Sequence, residues 1–171
     1  MNELPYYTIP DTPNKISAST TIARFVDGLG FRYRWATEGL TSNEIEFIPV
    51  EGSRGMLDII RHIYNLAHYA NWTFGGTIRY NRTAESFAEL RVNTLILYAD
   101  LSMRLKNMDD SELEKFDFTR VNNNEPYSFW YMLNGPIADA LTHVGQITSW
   151  RRIAGNPQPK GVDVFAGSKS E

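Results

Sequence analysis

The stretch 54–74, "RGMLDIIRHIYNLAHYANWTF", decides the fold. Met56, Ile59, Ile60, Ile63, Leu66, Ala67 and Ala70 recur at three- and four-residue steps, the period of an α-helix with one broad apolar face. Gly75-Gly76 follows and predicts the helix end, because glycine adopts the left-handed backbone that closes a helix without a steric cost.

Three more stretches repeat that period. Residues 17–40 place Ile22, Phe25, Val26, Leu29, Tyr33 and Ala36 on one face. Gly28 and Gly30 lie inside that helix and predict close packing against a neighbour or a local kink. Residues 83–108 carry Phe87, Leu90, Thr94, Leu97, Leu101 and Leu105 in register, behind a cap region at Thr83–Ser86. The last helix is predicted over 127–154. Gly135-Pro136 interrupts it, and proline's missing donor and ring clash predict a kink or a fresh start there.

The crossing between the third and fourth helices is long and leaves their topology open. Residues 41–53 read as a loop holding Pro49 and Gly52, 109–116 as one short helical turn, and 117–126 as a loop whose "DFTRV" could be extended. Residues 1–15, with Pro5, Pro10 and Pro13, form an extended surface arm. Residues 156–171 form a C-terminal loop and tail whose Val162, Val164 and Phe165 can pack back. Four long amphipathic helices without a convincing strand run predict an all-α four-helix bundle, one domain over residues 1–171.

Composition bounds the function. Hydrophobic residues at 42% and charged residues at 22% suit a globular chain. A net charge of −3 gives no electrostatic footprint for nucleic acid. The absence of cysteine removes disulfides, a thiolate nucleophile and cysteine-bound metal, and fits a reducing compartment. Residues 1–13 lack the basic and apolar regions of a secretory signal, and no apolar run approaches the roughly 18 residues of a membrane span. The chain therefore reads as cytoplasmic, without nucleic-acid or membrane partners.

The chemistry must come from few residues. The histidines are His62, His68 and His143. Asp139 precedes His143 by four residues, so both project from one stripe of a helix. A carboxylate and an imidazole one turn apart can grip one cation, and His62 or His68 on the second helix can supply a third ligand. The same pair also reads as a weak ion pair on a solvated face. Tyr127, Trp130, Tyr131 and Trp150 read as core rather than as a ligand cage.

"SRGMLDIIRHIYNL" (53–66), followed by "YSFWYMLNGPIADAL" (127–141), "ALTHVGQITSWRRIAGNP" (140–157) and "VFAG" (164–167), resembles the DinB/YfiT family, bacterial four-helix proteins with a metal site on their helices. The resemblance runs from about Ala18 to Phe165. It implies a metal held by three histidines, one on the second helix and two at i,i+4 on the fourth. His62 and His143 match, and Asp139 stands where the family usually has histidine. Two histidines and a carboxylate still make a divalent site, shifted toward Mn²⁺ or Fe²⁺ without excluding Zn²⁺ or Ni²⁺. Gln146 would orient a ligand from behind. The resemblance further implies a metal-dependent hydrolase or a low-molecular-weight-thiol S-transferase, with a small-molecule substrate, and the bundle suggests a homodimer. No separate general base stands out, so no catalytic residue is assigned. The rival expectation is a non-enzymatic, stress-associated ligand-binding or dimerising bundle with a degenerate metal site.

Overall fold

A computed structural model describes residues 3–81, 83, 86–116, 118–119, 126–127 and 129–170. The elements run α1 (Ala18–Thr37), α2 (Ser42–Ile45), α3 (Met56–Thr73), α4 (Phe87–Lys106) and α5 (Asp110–Leu113). A short antiparallel pair follows, β1 (Phe118–Thr119) with β2 (Pro126–Tyr127). Then come α6 (Phe129–Met132), a π-helical turn (Leu133–Ile137) and α7 (Ala138–Ile153), and a terminal hairpin of β3 (Val162–Asp163) with β4 (Ser168–Lys169). The protein is all-α with little strand. No helix among the described residues is long and apolar enough to cross a membrane.

The four long helices pack in the order α1–α4–α3–α7, with α7 closing back on α1. Ile59, Ile60, Ile63, Ala67 and Ala70 of α3 are buried in one core with Leu90, Leu97 and Leu101 of α4 and Val26 and Leu29 of α1. Each fully buried isoleucine or leucine contributes about 1.5–3 kcal/mol. The helix ends follow local chemistry. Ser17 and Thr20 form a reciprocal cap on α1, and Ser86 accepts from the Glu89 backbone to start α4. That start lies three residues beyond the expected Thr83; the Glu85 of the expected cap region falls outside the described residues. Gly75, with φ of 78°, closes α3 as expected.

Asp110 of α5 reaches across to accept from the Ala18 and Ser19 amides at 3.0 and 2.9 Å. These bonds hold its carboxyl below the usual range and satisfy donors that the first turn of α1 leaves free.

Several sequence expectations are corrected. The N-terminal arm does more than lie on the surface. Tyr6, at a positive φ of 67°, is 5% exposed and packs over Gly30, while its hydroxyl donates to Asp27 at 3.3 Å. Phe25 lies outside the apolar face of α1 and is 63% exposed, because the helix turns that side to a groove. Residues 156–171 include a hairpin, and Val164 and Phe165 stand at its exposed turn instead of packing back. Trp130 and Tyr131 are also exposed rather than core, since the single turn of α6 buries Met132 on its inner side. The Tyr127 side chain, and most of the 117–126 connection, fall outside the described residues. Residues 41–53, read as a loop, hold the one-turn α2.

The last helix starts at Phe129 and carries the expected interruption as a π turn around Pro136. A π turn absorbs one extra residue and tolerates the missing proline N–H, so the axis resumes at once in α7. At its far end Arg151, 1% exposed, donates to the Trp35 and Ala36 carbonyls at 3.2 and 2.9 Å and to the Asn156 carbonyl at 2.7 Å. The last carbonyls of α1 are thus satisfied by α7, and the π turn and this clamp fix how α7 is rotated.

Candidate metal centre

That rotation turns Asp139 and His143 toward α3. Asp139 is the second residue of α7, and His143 follows one turn later. His62, in the second turn of α3, faces them. Its Nε2 lies 3.0 Å from Asp139 Oδ2, and His143 Nε2 lies 3.3 Å from Asp139 Oδ1. The two imidazoles meet edge to face with centroids 4.9 Å apart. Donor atoms of His62, Asp139 and His143 all lie within 4.8 Å of one another, and the group could hold a metal ion.

The donor set fits such an ion. Metal–ligand bonds of about 2.1 Å set about 90–109° apart separate neighbouring donors by about 3.0–3.4 Å. The two imidazole nitrogens keep 3.0 and 3.3 Å from the carboxylate oxygens. Imidazole nitrogen and carboxylate oxygen suit first-row divalent cations, and three protein ligands leave positions open. The side chains are 31%, 42% and 13% exposed for His62, Asp139 and His143, so the centre is only partly covered.

Behind the cluster, Gln146 Oε1 lies 2.6 Å from His143 Nδ1. An acceptor at Nδ1 is the contact that orients a metal-binding imidazole, with Nε2 facing the cluster. The expected placement of Gln146 one turn beyond His143 therefore coincides with a direct contact. His68 lies apart from the group. Its Nε2 is 3.2 Å from the Ile78 carbonyl and its ring packs on Tyr80, while burial lowers its pKa. Of the two histidines on α3, only His62 meets α7.

Two polar constellations outside the centre escaped sequence reading. Arg151 lies in the last turn of α7, yet it joins Asn156 and Glu44 in a buried clamp, with Asn156 donating to Glu44 at 2.8 Å. Asp27, 1% exposed, pairs with Lys106 Nζ at 2.7 Å and accepts from Tyr6. No local signal marks either, because the partners are separated by many residues.

No family model, curated protein or solved structure matches the chain.

Proposed function

We propose that this chain is a four-helix bundle of the DinB/YfiT type that holds one divalent cation through His62, Asp139 and His143 and works as a metal-dependent enzyme. The convergence of two imidazole nitrogens and a carboxylate from two different helices on one partly open point carries the reading. The orientation of the His143 ring supports it. With Nδ1 facing Gln146 Oε1, Nε2 is the ring nitrogen on the Asp139 side.

A divalent ion held there polarises a carbonyl oxygen and acidifies a water or a thiol that reaches it. The chain's own residues then divide the remaining work. Asp139 supplies the negative charge that favours harder cations, His62 and His143 fix position from two helices, and Gln146 sets the tautomer of His143. Hydrolysis and transfer from a low-molecular-weight thiol are the two reactions in keeping with this centre. The second needs an external sulfur, since the chain has no cysteine.

One observation favours a second reading, a non-enzymatic bundle with a degenerate site. His62 can donate to Asp139 at 3.0 Å, which satisfies both groups without an ion. Metal analysis of protein purified without chelators or a polyhistidine tag, beside His143→Ala, separates the two. About one equivalent in the parent and none in the variant supports the enzyme. No metal in either, and no uptake of added Zn²⁺, Ni²⁺, Mn²⁺ or Fe²⁺, supports the degenerate site.

A further inference from the structure

A groove of about 730 Å³ runs along the outer side of α1, lined also by the N-terminal arm, Leu141 of α7 and the terminal hairpin, which meets the arm where the Ile9 amide donates to the Gly167 carbonyl at 2.8 Å. Thr21, Arg24, Phe25, Gly28, Leu29 and Arg32 lie on one stripe of α1, the pairs 24/25 and 28/29 one turn apart, and form its floor. Gly28 leaves the middle of that floor open, where an added Cβ would meet only the Arg32 guanidinium at 3.1 Å. The size falls within the range of small-molecule sites, about 300–1,000 Å³.

Both lips carry apolar side chains in water. Ile16, between the arm and α1, is 97% exposed, Phe165 of the hairpin 100% and Phe25 of α1 63%. Contiguous apolar surface of this kind marks a binding face. The polar part is cationic. Arg24 donates to the Pro10 carbonyl at 2.7 Å, and Arg32 donates to the Gly28 and Val164 carbonyls at 3.1 and 3.2 Å. A guanidinium has more donors than these bonds use. Among the described residues neither arginine has a carboxylate within 4.0 Å, and no Asp or Glu lines the groove. The third cation, Lys15, lies 3.7 Å from Asp109.

We propose that this groove binds a free amphiphilic monocarboxylate, a single apolar chain ending in a carboxylate, with the head at Arg24 or Arg32 and the chain over Phe25, Leu29 and Phe165. Apolar lining alone would accept any hydrophobic ligand, and the two uncompensated arginines select an anionic head. A second copy of the chain fits less well, because a two-fold contact through this face would bring the arginine pairs toward each other. The groove is also distinct from the candidate metal centre. Leu141 stands two residues from both Asp139 and His143, about 200° around the helix, and so faces the other way.

Titration calorimetry with dodecanoate below its micellar range tests the proposal on the intact chain. One saturable equivalent is expected. Dodecyltrimethylammonium, with the same tail and the opposite charge, should bind far more weakly. Arg24→Gln with Arg32→Gln should weaken dodecanoate by about tenfold or more, and His143→Ala should leave it unchanged. Phe165→Ala, at a fully exposed position outside the core, should weaken it several-fold with no change in melting temperature. Absence of saturable binding, equal affinity in the arginine variant, or loss in His143→Ala would overturn the proposal. So would binding only to phosphatidylglycerol vesicles, or a dimer split by Phe165→Glu in a protein that takes up no dodecanoate.

Discussion

Gln146 Oε1 sits 2.6 Å from Nδ1 of His143, while the opposite nitrogen of that ring lies 3.3 Å from Asp139 Oδ1. One side chain outside the donor cluster thus decides which nitrogen of His143 is free to bind. Replacing Gln146 with Leu keeps the volume and removes the acceptor. Divalent-metal affinity is expected to fall about 10–100-fold, with the melting temperature nearly unchanged. Competition against a chelating dye reads this directly, and an unaltered affinity would deny Gln146 any orienting part.

Asp139 should control which metal is preferred. Asp139→Ala is expected to lose uptake, because two imidazoles remain. Asp139→His should retain uptake and move preference toward Zn²⁺ and Ni²⁺ over Mn²⁺, since imidazole is the softer donor. Parallel loading with the three ions, followed by elemental analysis, gives the order.

The Tyr6–Gly30 contact offers a test of the arm. A Cβ on Gly30 would stand 2.4 Å from the Tyr6 ring, so Gly30→Ala is expected to cost about 1–3 kcal/mol by overpacking. In a Tyr6→Ala background the same change should become neutral or stabilising, by up to about 1 kcal/mol, as alanine is the better helix residue. Denaturant unfolding of the four proteins closes the cycle. Equal effects in both backgrounds would mean the arm does not press on α1.

Arg151 is expected to be the costliest surface-looking residue to remove. Arg151→Met leaves the Trp35 and Ala36 carbonyls without their donor, at about 1–3 kcal/mol for each buried orphan. Thermal unfolding should show a loss of several degrees. A change within experimental error would place the clamp outside the stability of the fold.

Glu44 should make stability depend on acid. Hydrogen bonds from Asn156 first, then from Thr41, pull its pKa from the ordinary 4.5 to about 2. The folded form therefore binds its proton less readily than the unfolded chain. Its contribution is full above about pH 4.5 and is lost as pH falls toward 2. Glu44→Gln should flatten the stability profile across that window. A parallel, uniformly lowered profile would assign the acid sensitivity elsewhere.

The sequence by itself determined the helices and the faces they bury. Apolar residues at helical spacing in α1, α3 and α4 put Val26, Ile60 and Leu97 inside, and local capping and glycine signals placed the starts and stops within a few residues. Spacing also put Asp139 and His143 on one stripe, because four residues nearly complete a turn whatever surrounds the helix. Only the tertiary structure decided that His62 and not His68 meets them, that Arg151 is inside, and that Phe25 and Phe165 are outside. Each of those depends on how one helix is rotated against another. The local Gly135-Pro136 signal marks the π turn, but the Tyr6 plug and the Arg151 contacts to α1 join residues far apart in the chain, which no local pattern encodes.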